Sequence, residues 1–330
     1  MLIKTFKKSR QFDPFMLMLV ALVLWIDAFL FFGQHQWTVV APAPLYQPLL
    51  VFVNNFPLLQ VILAFLFLLV QAFMINHIST SKGLMERHTL LPALIYVVLM
   101  SSDFSMLALH PVLIANFFLL LAINKIFDTF SEKDVAIEVF NVGLLVALAG
   151  LFYYPAMLFF LLAVIALFVF RVGNIRGILA TIIGFLTPLL FLFVFFYVTD
   201  QLEQQLDAIF SYTRPFLVFT HTYGYYSQAF LAVLATLAFF SFLNVLFRYG
   251  ADKPVRIRKR FIVLVWFFAI GLLSALLTTG FFEVHYAMML IPLSVFIAVF
   301  FMEMKKPFWA ELSFSLLLLL IIIGKLARLD

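Results

Sequence analysis

The stretch ALVLWIDAFLFFG, residues 21–33, is apolar except for one aspartate, Asp27. It continues an apolar run that begins near residue 14, and about 20 apolar residues suffice to cross a bilayer as a helix. An ionised side chain in such a run is costly unless it is paired, faces water or becomes protonated. The stretch therefore predicts a first membrane span and makes the surroundings of Asp27 the central question.

The composition extends this prediction to the whole chain. Of 330 residues, 65% are hydrophobic and only 11% are charged, and 45 are phenylalanine. Soluble domains are nearer half apolar and a quarter charged. We therefore expect an all-α polytopic transmembrane helix bundle, with residues 1–330 forming a single integral-membrane domain in contact with the lipid bilayer. The chain has no cysteine, which excludes disulfides and cysteine-ligated metal sites.

Apolar runs bounded by charges, proline and glycine predict about eleven spans. The third run is short, so we expect it to be tilted, broken or only partly inserted. The predicted spans are 14–33, 57–76, 89–102, 111–127, 136–152, 154–170, 178–199, 225–247, 261–282, 285–303 and 308–325.

The positive-inside rule gives these spans an orientation. With a cytoplasmic N-terminus, all but three of the 21 Lys and Arg residues fall on the inner side, the exceptions being Arg214, Lys325 and Arg328. The net charge of +5 is thus a topology signal and not evidence for nucleic-acid binding. The prediction is a multi-pass membrane protein with its N-terminus in the cytoplasm and its C-terminus on the outer side.

Two long segments fall on the outer side. Residues 34–56 contain three prolines and are not expected to form one helix. Within residues 200–224, the apolar residues and the acidic residues each recur with helical spacing, so they form two faces of one helix. This predicts an amphipathic helix lying in the interface. On the inner side, Ser131 and Asp134 fit a capping box that starts the fifth span.

The outer-side acids are the first candidates for chemistry. Asp27 lies roughly 9 Å below the outer end of its span, at 1.5 Å per residue. It is a candidate general base or cation ligand, so a divalent cation is compatible with the site; the alternative is a satisfied hydrogen bond between helices. Asp103, beside Ser101, Ser102 and Ser105, is a second candidate acid or simply part of a polar turn.

Other polar residues on the same side are candidate substrate ligands. Glu283 and His285 stand at one helix mouth with Tyr286, which fits either headgroup binding or an interfacial belt. Arg214 is an isolated arginine, and guanidinium groups bind phosphate bidentately. His110 and Tyr154 lie in outer turns, where a hydrogen-bonded histidine and an interfacial tyrosine are the ordinary alternatives.

Three features resemble the GT-C integral-membrane glycosyltransferases, which use polyprenyl-phosphate sugars. A long outer segment follows span one, short hairpins join spans three to seven, and a long amphipathic outer segment follows span seven. The stretch EVHYAMMLIPLSVFIAVFF, residues 283–301, also resembles a late helix of such enzymes. The resemblance implies catalysis by Asp27 and Asp103, with Arg214 and His285 contacting a polyprenyl-phosphate lipid. That family usually carries its acid in the first outer loop, whereas residues 34–56 contain none.

A closer resemblance covers nearly the whole chain. HPVLIANFFLLLAI (110–123) and EVFNVGLLVALAGLFYYPAMLFF (138–160) are similar to an uncharacterised family of bacterial polytopic inner-membrane proteins, which implies no particular activity.

Three functions remain open from the sequence. A transferase predicts an outward cavity where Asp27 meets Asp103 or Arg214. A transporter or flippase of a lipid-linked or anionic substrate predicts a polar route between two similar halves. A non-catalytic assembly subunit, whose protein partners the sequence does not reveal, predicts a filled bundle in which Asp27 is merely hydrogen-bonded.

Overall fold

The computed structural model describes residues 2–7, 12–34, 43–86, 88–128, 135–203, 207, 225–249, 253–277 and 282–329. Throughout these ranges the regular structure is helical and no strand occurs, which confirms the all-α prediction.

Fifteen α-helices are distinguished within the described ranges, together with short 3₁₀ turns and one π-helical segment. The α-helices are α1 Leu2–Phe6, α2 Asp13–Leu24, α3 Ile26–Leu30, α4 Tyr46–Asn54, α5 Pro57–Ser81, α6 Leu91–Met100, α7 Pro111–Asp128, α8 Val135–Phe152, α9 Phe160–Phe170, α10 Ile175–Val198, α11 Tyr225–Asn244, α12 Val255–Leu277, α13 Phe282–His285, α14 Leu290–Glu303 and α15 Pro307–Leu329. The 3₁₀ turns are Phe32–Gln34, Phe104–Leu107, Tyr154–Phe159 and Tyr286–Met288, and the π-helical segment is Val245–Tyr249.

Within the described ranges, seven helical segments are long and apolar enough to cross a membrane, in α5, α7, α8, α10, α12, α15 and the α11 region. Four shorter apolar segments, Asp13–Leu24, Leu91–Met100, Tyr154–Phe170 and Leu290–Glu303, overlap the other four predicted spans, which leaves the number of complete crossings a prediction. Every predicted apolar run therefore corresponds to helix. The protein is an integral membrane protein by the length and composition of these helices.

The short third run is the most deeply enclosed helix. Helix α6 has ten residues, all of them buried, and at 1.5 Å per residue it is about 15 Å long. A hydrocarbon core is about 30 Å thick, so α6 reaches across roughly half of it. Protein, and not lipid, surrounds this helix on every side.

The first predicted span is broken where the opening stretch contains its tryptophan. Helix α2 ends at Leu24, Trp25 forms a turn with φ −105° and ψ 6°, and α3 begins at Ile26. Trp25 is 1% exposed. The break displaces Asp27 from the line of α2, so the carboxylate belongs to a separate short helix.

Helices α8 and α10 cross with their backbones in contact at two glycines. A Cβ at Gly143 would lie 2.2 Å from the Thr181 carbonyl oxygen, and one at Gly184 would lie 2.1 Å from the Phe140 carbonyl oxygen. Glycine therefore lets the two backbones touch, a common basis of helix association in membranes. Elsewhere α10 exposes large apolar side chains, including Phe191 at 72%, as expected of a lipid-facing surface.

Polar contacts between helices gather at two opposite ends of the bundle. One end, called here the basic end, joins Lys82 to Asp128, Lys125 to Glu138 at 3.1 Å, and Lys253 to Glu86. At the same end Arg260 donates to the carbonyl oxygens of Lys82 and Phe127, Lys7 donates to that of Met302 and Thr89 to that of Phe6.

The other end, called here the Asp27 end, holds a second set of contacts. Tyr46 donates to the Leu109 carbonyl oxygen at 2.8 Å, and the Leu45 amide donates to that of Leu151 at 3.1 Å. The contacts of Asp27, Ser102 and His285, described below, also lie there. Successive predicted spans run in opposite directions between these two ends. This is the alternation that the predicted topology requires.

Between the ends, buried amide side chains link helices by hydrogen bonds. Gln71 donates to the Leu113 carbonyl oxygen at 2.7 Å and accepts from the Tyr96 hydroxyl at 2.5 Å. Asn116 donates to the Ala287 carbonyl oxygen at 3.1 Å. These bonds tie α5, α6, α7 and the turn before α14 together.

Three sequence expectations fall partly or wholly outside the described residues. The segment 34–56 contains the helix Tyr46–Asn54 after a turn, so it is not one helix, while residues 35–42 are outside the description. Of the segment 200–224, predicted to contain an amphipathic helix, only residues 200–203 and 207 are described, and the capping box of Ser131 and Asp134 lies outside the described residues.

Replacing Gly184 with valine should destabilise the protein, because the Cβ would force α8 and α10 apart. Overpacking typically costs about 1–3 kcal/mol, which thermal unfolding of the detergent-solubilised protein followed by intrinsic fluorescence will reveal as a lower Tm. Gly33→Val is the matched control, since no atom lies within 4 Å of a Cβ there. Equal Tm values for the two variants would contradict the close crossing.

Candidate functional site

The Asp27 side chain is held at the end of the last helix. Lys325 Nζ lies 3.1 Å from Asp27 Oδ1, and the same ammonium donates to the carbonyl oxygen of Leu24. The two side chains are only 15% and 13% exposed. The ion pair therefore connects α15 to α3 and to the end of α2.

The break at Trp25 fixes the other side of this cluster. The Trp25 indole nitrogen donates to Ser101 Oγ at 3.0 Å, and Ser101 in turn donates to the Val97 carbonyl oxygen at 2.7 Å. Both side chains are buried. Helix α6 thus ends directly beside the turn that presents Asp27.

Asp103 is first of all a local cap. Its Oδ1 accepts from the Ser105 amide at 3.0 Å and from the Ser105 hydroxyl at 2.7 Å, at the start of the turn Phe104–Leu107. The polar turn expected as the alternative reading is therefore present. The Asp103 carboxylate also interacts electrostatically with the Lys325 ammonium, whereas the ion pair of Lys325 is with Asp27.

His285 and Tyr286, which follow Glu283, also contact side chains at the Asp27 end, in both cases through a hydroxyl group. Tyr286 OH and Ser102 Oγ are 3.0 Å apart, and His285 Nε2 lies 3.5 Å from Tyr153 OH, with the two rings 5.5 Å apart. His285 is in the connection before α14, and its burial lowers its pKa to about 4. The imidazole is therefore neutral at pH 7, able to donate or accept a hydrogen bond but carrying no charge.

His110 is a buried residue of the connection that leads into α7. Its Nδ1 accepts from the Leu113 amide at 3.1 Å, and burial lowers its pKa to about 3. This contact caps the first turn of α7 and is a structural role. Tyr154 is 7% exposed and begins the turn Tyr154–Phe159, so it is enclosed in the bundle and does not project into an aqueous belt.

Two candidate ligands are not described at the level of their side chains. Arg214 lies outside the described residues, and the Glu283 side chain is not described although α13 includes its backbone. Their proposed substrate contacts stay predictions.

Within the described part of the chain, no group of three or more His, Asp or Glu side chains is arranged to hold a metal ion. At Asp27 the neighbouring charge is the ammonium of Lys325. The cluster of Asp27, Asp103 and Lys325 carries a formal charge of −1 when all three are ionised. Such a cluster suits the acceptance of a proton from a hydroxyl group better than the capture of a phosphate.

Lys325 is the residue that the sequence reasoning missed. The positive-inside count placed it on the outer side but gave it no role. The available signal was its position, because a lysine inside IIIGKLARLD (residues 321–330) interrupts the last apolar run against the charge trend. Such an intramembrane charge usually has a partner.

Acid should destabilise the protein through its buried imidazoles. An unfolded histidine has a pKa near 6.5 and the folded His285 one near 4, so the unfolded state binds the proton first. The free energy of unfolding should fall by about 1.4 kcal/mol per pH unit for this group as the pH drops from about 6.5 to about 4.

His285→Gln should remove that share of the pH dependence, measured as Tm against pH in detergent. His77→Gln is the control, because His77 is exposed at the basic end. An unchanged slope in His285→Gln would show that the imidazole is not kept neutral.

Comparisons with known proteins identify only a family. No curated protein and no solved structure matches the chain. A family model with the description "Family of unknown function (DUF6427)" matches residues 42–329, which include both segments that carry the closer resemblance. The chain therefore belongs to the DUF6427 family.

Proposed function

We propose that the protein is a membrane-embedded transferase with its site at the Asp27 end, moving a sugar from a polyprenyl-phosphate donor to a hydroxyl acceptor in the manner of GT-C enzymes. The observation that carries the proposal is the buried ion pair of Asp27 with Lys325, next to the end of α6 after which Asp103 follows. Ionisable groups inside membrane segments are costly and commonly mark functional sites.

In the proposed reaction, Asp27 is the general base. Its carboxylate takes the proton of the acceptor hydroxyl while the acceptor oxygen forms a bond to the anomeric carbon of the sugar. The bond between that carbon and the donor phosphate oxygen breaks, and the lipid phosphate leaves with the electron pair. Arg214 would hold the phosphate by charge, and neutral His285 would hold it by a hydrogen bond.

The proposed location is a bacterial inner membrane, with the Asp27 end facing the periplasm. The accumulation of Lys82, Lys125, Lys253 and Arg260 at the opposite end supports this orientation, because cytoplasmic ends carry the excess of basic residues. The N-terminus would then be cytoplasmic and the C-terminus periplasmic, with residues 1–330 forming one membrane domain.

A second candidate is a non-catalytic assembly subunit. It is favoured by the mutual pairing of Asp27 and Lys325 and by the burial of Trp25 and Ser101 beside them. In that case the ion pair of Asp27 and Lys325 fastens α15 to α3. Its loss lowers the abundance of the protein, and glycans change no more than the abundance does.

The two candidates separate in the native host. Asp27→Asn and Arg214→Ala should each abolish transfer while the protein remains in the membrane at normal abundance. The readout is mass spectrometry of lipid-linked glycans, in which the donor accumulates, together with loss of surface glycosylation.

Glu86→Gln is the control, since it removes an acid of an ion pair at the basic end and should leave glycans unchanged. Normal glycans in both test variants, with both proteins present at wild-type abundance, would refute the transferase. A lower abundance of Asp27→Asn, with glycans reduced no further than the protein itself, would favour the assembly subunit.

A further inference from the structure

Asp27 occupies surroundings in which a lone carboxylate prefers its neutral form. Its neighbours on α3 are apolar and face outward, with Ile26 52% and Leu30 67% exposed, while its own side chain is 13% exposed. Removing a carboxylate from water favours protonation unless an opposite charge is close. A protonated Asp27 could not accept a proton from a substrate.

Lys325 supplies the opposite charge in a fixed position. Its Nζ is anchored by the Leu24 carbonyl oxygen and lies 3.1 Å from Asp27 Oδ1. An ammonium has three donors, and the Leu24 anchor directs another of them at the carboxylate. The anchor belongs to the backbone, so it keeps the ammonium in place whatever the protonation state of Asp27.

The other elements packed against α3 bring no competing charge to Asp27 among the described residues. These elements are α2, α5 and the turn Phe32–Gln34. Their titratable side chains are Asp13 on α2 and His77 on α5, both toward the basic end. Besides Lys325, α15 carries Glu311, which lies in the first turns of that helix toward the basic end, and Arg328, whose side chain is not described. Asp103 interacts electrostatically with Lys325.

We propose that Lys325 is a positioning residue that keeps Asp27 ionised and oriented at the Asp27 end of the bundle. The catalytic meaning of this role rests on the proposed transferase, but the ionisation itself does not. Lys325 joins α15 to α3 and to the end of α2. Its role therefore also explains why a cation interrupts the final apolar run of the chain.

Infrared spectroscopy of the purified protein tests the ionisation directly, since a protonated carboxyl has a C=O stretch separate from that of a carboxylate. The difference spectrum of wild-type protein minus Asp27→Asn should contain one carboxylate band and no carboxylic-acid band. Lys325→Met should gain one carboxylic-acid band, and Lys325→Met combined with Asp27→Asn should lose it again.

Matched variants separate charge from packing. Lys325→Arg should keep Asp27 ionised and show no new band. Lys325→Gln, which retains a donor for the Leu24 carbonyl but no charge, should show the same band as Lys325→Met and serves if the methionine variant does not accumulate.

Each outcome decides the proposal. A carboxylic-acid band that Asp27→Asn removes from the wild-type protein would overturn it, because Asp27 would then be neutral beside Lys325. An ionised Asp27 in both Lys325→Met and Lys325→Gln would also overturn it. If the band appears as expected while glycans stay normal in Asp27→Asn, Lys325 keeps its role and the transferase alone fails.

Discussion

Hydrocarbon offers no partner to a polar group, and the arrangement of this protein follows from that constraint. Charged residues that tie helices together lie at two ends of the bundle, Lys82 with Asp128 at one and Asp27 with Lys325 at the other. Between them the links are neutral amides such as Gln71, whose side chain is satisfied by a carbonyl oxygen and a hydroxyl. The short, fully buried α6 is tolerated because protein surrounds it.

The two ends differ in what their charges can do. At the basic end Arg260 donates hydrogen bonds to backbone carbonyl oxygens at the ends of α5 and α7. These bonds hold helices together. At the Asp27 end Lys325 forms an ion pair with Asp27, and Asp103, hydroxyl groups and a neutral imidazole lie at the same end. This second end holds the groups that could move a proton, so the proposed chemistry is placed there.

Much of the fold follows from the sequence because hydropathy measures what lipid requires. All eleven apolar runs contain helix in their described parts, and the small number of apolar residues in the third run already indicated a short helix. The break at Trp25 was not, because it depends on a hydrogen bond to Ser101. For the site, the sequence predicted that Asp27 needs a partner on the same side, yet it considered Arg214 and Asp103 before Lys325. The pairing of α3 with α15 depends on packing between helices that are far apart in the chain, and no local sequence pattern reveals it.

The central claim is that the two ends face opposite sides of the membrane, with the Asp27 end outward. The chain has no native cysteine, so single cysteines at exposed positions report sidedness directly. An impermeant maleimide applied to intact spheroplasts should label Asn55→Cys and Gln201→Cys, whereas Arg258→Cys and Lys306→Cys should react only after permeabilisation. Labelling from outside at Arg258 and Lys306 alone would reverse the orientation, and labelling of one position from each end would contradict the two-ended arrangement itself.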